Sequence, residues 1–133
     1  MIRNNSPSVF ENDLIKLWIE DGILWAEYKE IILSTEEAKK IVSDRIMFQN
    51  GTIYPAIADI RKIKYINKGA NEYLSKEGNT LVHCVAVIVE SHVSEILGNF
   101  YLKLSKPPLP TKLFRNAEKA KAWVETQMIS PVV

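Results

Sequence analysis

The sequence predicts an α/β fold built on a mainly parallel sheet. Three observations carry that reading. Segments with a two-residue apolar beat alternate along the chain with segments whose apolar residues recur every three to four positions. Only the first pair of strands is joined by a tight turn, so the later ones must be linked through crossover helices and run parallel. The chain has 133 residues, 47% of them hydrophobic and 25% charged. That is enough for one domain and close to globular averages, which excludes disorder as the main state.

The elements follow in order. Residues 1–13 include Asn4, Asn5, Ser6, Pro7 and Ser8, a polar stretch expected to be a flexible arm. Ile15, Leu17 and Ile19 keep the beat of a half-buried strand, and Ile23–Tyr28 is its partner. Between them stands Asp21-Gly22, a pair suited to the positive φ angles of a type I′ turn. Ser34-Thr35-Glu36-Glu37 reads as a capping box. The helix it opens carries Ala38, Ile41, Val42 and Ile46 and stops at Asn50-Gly51. Tyr54–Ile60 reads as a strand covered by helices on both faces.

Arg61–Gly69 follows as a basic loop with an apolar beat, and Ala70, Tyr73 and Leu74 mark a short helix ending at Gly78. Leu81–Val89 is the most apolar stretch and is expected to be a central strand. Ser91 can cap a helix whose stripe runs Val93, Ile96, Leu97, Phe100, Tyr101 and Leu104. That stripe is expected to pack on the sheet. Lys106–Pro110 is a stiff connection. Lys112-Leu113-Phe114 forms a last strand, and Asn116 caps a final helix through Met128. The single domain is thus bounded at 14–128, with 129–133 as a tail. It has five strands, the first antiparallel to the second, and four helices.

This layout resembles the STAS (SpoIIAA-like) fold of anti-sigma-factor antagonists. It is more similar still to a group of bacterial STAS-like proteins sometimes placed with SEC14-type lipid-binding domains. The segments that carry the resemblance are Asp21–Lys29, Tyr54–Ile60 and Leu97–Phe114. In the antagonists, an Asp-Ser-Ser-Gly motif opens the second helix and its second serine is phosphorylated. Here those positions fall on Asn67, Lys68, Gly69 and Ala70, with neither hydroxyl nor aspartate. The resemblance therefore implies the fold and argues against a phosphorylation switch at that place.

Candidate sites gather at the carboxyl ends of the strands, where ligands of open α/β sheets bind. Arg61, Lys62, Lys64 and Lys68 form the one local bias of charge, with Tyr65 among them. They could receive an acidic partner, a phosphate or an anionic headgroup; the plainer reading is a solvated rim. Asp59 could position a ligand, or simply accept backbone N–H bonds in the turn that follows. Asn67 and Gly69 sit at the same edge. Ser91 and His92 open the third predicted helix and could hold an anion, though a plain cap and an exposed first-turn residue are the favoured reading. Within the apolar strand, His83 is read as a buried or half-buried imidazole and Cys84 as a small core residue. As strand neighbours they point to opposite faces and form no dyad.

Several function classes drop out. Seventeen basic residues against sixteen acidic ones give a formal charge of +1, so no global field draws nucleic acid or acidic membranes. One cysteine and two histidines support neither a disulfide framework nor a Cys/His zinc site. Glycine-rich phosphate loops are absent, and no carboxylate pair has acid–base spacing. No metal or cofactor is expected. Met1–Glu11 lacks the apolar core of a secretory signal, and Val85–Val89 is far shorter than the ~20 residues of a membrane span. A cytoplasmic location without stable membrane insertion is expected. The reading kept is a non-catalytic binding or regulatory module that takes a protein partner through the basic loop and second helix. The alternative is a small-anion or lipid-headgroup binder at Asp59–Gly69 and Ser91–Ser94; a homodimer is left open. A deep pocket would favour the alternative, and a flatter surface with exposed Tyr or Ile the partner.

Overall fold

The computed structural model of the chain describes residues 9–90 and 108–128. In chain order its elements are β1 (Val9–Glu11), β2 (Ile15–Glu20), β3 (Ile23–Tyr28), β4 (Ile32–Leu33), α1 (Thr35–Gln49), β5 (Tyr54–Asp59), β6 (Tyr65–Ile66) and α2 (Lys68–Lys76). A 3₁₀ turn (Glu77–Asn79), β7 (Val82–Ile88), β8 (Thr111–Phe114) and α3 (Ala117–Met128) complete them. Six strands form one sheet in the order β1-β2-β3-β5-β7-β8, and β4 and β6 form a second, two-stranded sheet.

The antiparallel start follows from its turn. Asp21 and Gly22 take φ of 56° and 76°, as a type I′ hairpin requires, and Ile15 through Glu20 pair with Tyr28 through Ile23. From β3 onward the pairings are parallel. Helices cover both faces. Ile15, Leu17, Ala26, Leu33, Ala38, Ile41 and Ala70 join β2 and β3 to α1 and α2 on one face. Ile23, Ile57, Cys84, Ala86, Ala120 and Val124 join the sheet to α3 on the other. Ala56 and Ile57 of β5 face opposite clusters, so that strand is buried on both sides as its sequence predicts.

The helix ends are set by side chains. Glu37 accepts the Ser34 backbone N–H at 3.2 Å and the Ser34 hydroxyl as well. Asn50 ends α1 in the left-handed region, at φ 49°. Asn67 and Asn116 each accept a helical N–H at 2.8 Å.

Three features differ from the sequence reading. The sheet has six strands rather than five, because Val9–Glu11 adds antiparallel to β2, within the stretch expected to be a flexible arm. The Asn12 side chain fixes the corner by accepting the Leu14 and Ile15 N–H groups at 2.8 and 3.0 Å. The basic loop contains β6, which pairs parallel with β4. His83 is exposed, not buried. Its exposure has a local cause: the β5–β7 register shifts so that Tyr54 faces Val82 while Pro55 faces Cys84. His83 is the extra residue of that bulge, opposite a proline that has no N–H to donate. Three α-helices lie among the described residues; the predicted helix from Ser91 over Val93–Leu104 lies outside them.

Candidate functional site

β5 ends at Asp59, which accepts the backbone N–H of Arg61 at 3.1 Å and its guanidinium at 2.9 and 2.6 Å. Asp59 is thereby committed to its own turn. The hydrogen bond from Arg61 to Asp59 raises the guanidinium pKa; burial opposes it, and charge attraction to Asp59, Glu90 and Glu27 adds to the rise. Lys64 stands 3.7 Å from Glu30. Within residues 61–68 there are four cations and no anion, yet the fold supplies two anions from positions 59 and 30. Among the described residues, Lys62 and Lys68 are left without an ion pair.

Asn67 spends its side-chain oxygen on the α2 N-terminus. Gly69 is required for packing: a Cβ there would overlap Thr35 Oγ1, because α2 begins against the start of α1. The structure thus joins Asp59 to Arg61 and gathers Lys64, Asn67, Lys68 and Gly69 at the β6–α2 junction. Ser91 and His92 lie outside the described residues. Cys84 is fully buried, and burial pushes its thiol pKa up, opposite to what a nucleophile needs.

Two groupings went unread in the sequence, although Tyr65 was placed among the cations of the basic loop. Ile32 and Tyr65 face each other across the β4–β6 ladder and stand 62% and 56% exposed. Their neighbours Leu33 and Ile66 turn inward. A two-residue strand has no period to reveal it, so only the apolar beat within a basic loop hinted at this pair. The second group is Arg45, 6% exposed in the buried face of α1. Its guanidinium donates to Gln49 Oε1, to Thr80 O at 2.9 Å and to Gly78 O at 3.0 Å. The signal was present: 38, 41, 42, 45 and 49 continue one helical stripe, and Ile46, chosen in its place, is only half-buried.

Among the described residues, no group of His, Cys, Asp and Glu could hold a metal ion, and no helix is long and apolar enough to cross a membrane.

The chain is similar in structure to an uncharacterized protein of the DUF3478 family with a SpoIIAA-like fold from Shewanella loihica PV-4. The TM-score is 0.61 at 15% identity, over 93% of this chain and 99% of that one. That likeness shows the fold: an α/β, SpoIIAA-like domain with a mostly parallel sheet. A search of curated proteins finds no match. A family model described as a domain of unknown function, DUF7793, matches residues 17–128, and the chain belongs to that family.

Proposed function

We propose that this STAS-like domain is a non-catalytic binding module that recognises a protein partner through the β4–β6 strip and the start of α2. The observation that supports the reading is the exposed pair Ile32 and Tyr65, set side by side on a two-residue ladder and flanked by Lys62, Lys64 and Lys68. An aromatic and an aliphatic centre inside a charged rim is the composition of a protein interface. The partner surface it fits is apolar at the centre and acidic around it. At the Asp59–Gly69 loop the anion-binding alternative is less well supported, since Arg61 is already paired with Asp59 and the Asn67 side-chain oxygen caps α2.

The module would work without the antagonists' phosphorylation switch. The corresponding stretch, Asn67–Ala70, holds a cap, a lysine and a packing glycine.

The test is affinity capture with the wild-type chain, identification of the retained protein by mass spectrometry, and titration of that protein against Ile32→Ala/Tyr65→Ala. Both side chains are exposed, so stability should move by less than about 1 kcal/mol, while central interface residues cost about 2 kcal/mol or more of binding. A partner bound equally by both proteins would remove this strip as its docking site.

A further inference from the structure

Behind the strip, between the sheet and the α1–α2 layer, lies a cavity of about 110 Å³. Its floor is made largely of small residues, with Leu24 beside Ala56 at one end. Ala26, Ala58 and Val87 are ladder partners across β3, β5 and β7, and Ala56 and Val85 are partners one step before them. Five such side chains in register leave space that larger ones would fill. Ile60, Ile63 and Ile66, the inward side of the basic segment, line it as well.

Its polarity is one-sided. Arg45 and Tyr28 line the cavity, and no acidic side chain is among the described residues that do. Arg45 makes three hydrogen bonds, all to uncharged acceptors. A guanidinium has five N–H donors, so two have no hydrogen bond among the described residues. Burial lowers the Arg45 pKa, and among the described residues no carboxylate offsets it; the charge coupling found there is to Tyr28, whose own pKa burial raises. A buried cation without a counter-ion is costly.

We propose that this cavity is a binding site for a small apolar carboxylic acid, its carboxylate paired with Arg45 and its body on the Ala26–Ala56–Ala58 floor. The volume sets the size: a dry cavity of roughly 150 Å³ holds benzene, so one of about 110 Å³ takes a branched chain of about four or five carbons. A long acyl chain does not fit. The site is separate from the partner-binding strip, and its test does not depend on any partner.

The probes are isobutyrate and isovalerate, each against the amide of the same shape. Binding to the full chain is followed by NMR titration of the Ala26, Ala56, Ala58 and Val85 methyl groups. One or both acids should bind saturably, shift those methyls, and bind at least about tenfold more tightly than the matched amide, as expected for a charge-assisted pair. Ala58→Leu, which fills the floor, should abolish the binding while leaving the melting temperature at or above that of the wild type. Arg45→Met should reduce acid and amide to equal affinity. Because Arg45→Met also loses the Gly78 and Thr80 bonds, Ala58→Leu is the deciding variant. The proposal is overturned if neither acid saturates at 20 mM (roughly 2 kcal/mol on the affinity scale). It is equally overturned if amide and acid bind alike, or if binding survives Ala58→Leu. A marked fall in melting temperature for that variant would show that the space is already occupied, and would overturn it too.

Discussion

β4 and β6 carry two opposite environments within one layer. Outward, Ile32 and Tyr65 stand in water with lysines around them; inward, Leu33 and Ile66 pack against the core, with Arg45 deeper in the same cluster of elements. The cations of the two regions differ in every physical respect. Lys62 and Lys68 are solvated and screened, so their contribution to folding is close to nothing. Arg45 is desolvated and holds two backbone carbonyls from the segment that enters β7. Surface cations here can be exchanged without touching the fold, whereas the buried one cannot. Function tests on the strip are therefore clean, and those on Arg45 always carry a stability effect.

The largest expected effect breaks the buried side. Arg45→Met leaves the Gly78 and Thr80 carbonyls without their donors. Each orphaned buried acceptor costs about 1–3 kcal/mol, offset in part by removing a desolvated charge. A net loss of about 3 kcal/mol by urea denaturation is expected. A loss under about 0.5 kcal/mol would mean that Arg45 is no more structural than Lys62.

How much of this was legible depended on whether a residue spoke locally. Asp21-Gly22, Ser34–Glu37 and Asn116 act on the backbone next to them, and each was read correctly as turn or cap, whereas Asn67, which also caps a helix, was read only as a site candidate. The alternation of strands and helices likewise fixed which strands run parallel. Val9–Glu11 is three residues long, too short to show a period, and gains its order from β2 and from the Asn12 corner. His83 looked buried because its neighbours are; only the bulge at Pro55, a property of two strands together, turns it out. Asp59 and Arg61 could be named as site candidates, but their mutual neutralisation emerges only from the turn geometry, and the Lys64–Glu30 pair joins positions 34 apart in sequence.

Gly69 tests the boundary between the two regions, since it sits on the strip's side yet packs inward. Gly69→Ala forces a methyl onto Thr35 Oγ1, and overpacking of this kind costs about 1–3 kcal/mol. Thr35→Ala removes the obstructing oxygen, so the double variant should recover most of the loss. Thermal melts of the two single variants and the double one complete the cycle. Additive losses would show that Gly69 is needed for something other than this contact.

A smaller effect is reached by pH. Burial raises the Tyr28 pKa in the folded chain. The folded state therefore keeps its phenolic proton where the unfolded chain, with an ordinary value near 10, has released it. The stabilisation is complete below about pH 10 and is lost as pH rises through the folded value, by at most about 1.4 kcal/mol per pH unit. Cys84, also raised by burial, adds a similar loss from about pH 8.5 upward. Denaturation midpoints between pH 8 and 11 should fall for the wild type and fall less for Tyr28→Phe. Identical slopes would place the phenol in water and out of the cavity.

The smallest stability effect belongs to the strip, and it is the sharpest form of the contrast. Lys62→Glu with Lys68→Glu reverses the two cations that have no ion pair among the described residues, where Lys64→Glu would mostly set up repulsion with Glu30. Both sites are exposed, so the folding free energy should change by less than about 0.5 kcal/mol. Binding is expected to respond far more. An acidic-rimmed partner attracted by two positive charges would meet two negative ones, and association would slow most at low ionic strength. Raising salt from about 0.01 M to 0.15 M shortens the screening length from about 30 Å to about 8 Å, so the gap between wild type and variant should narrow across that range. A gap that is constant with salt would mean that the lysines touch the partner by contact rather than by field. The lack of any gap, with Ile32→Ala/Tyr65→Ala still impaired, would reduce the recognition surface to its apolar centre.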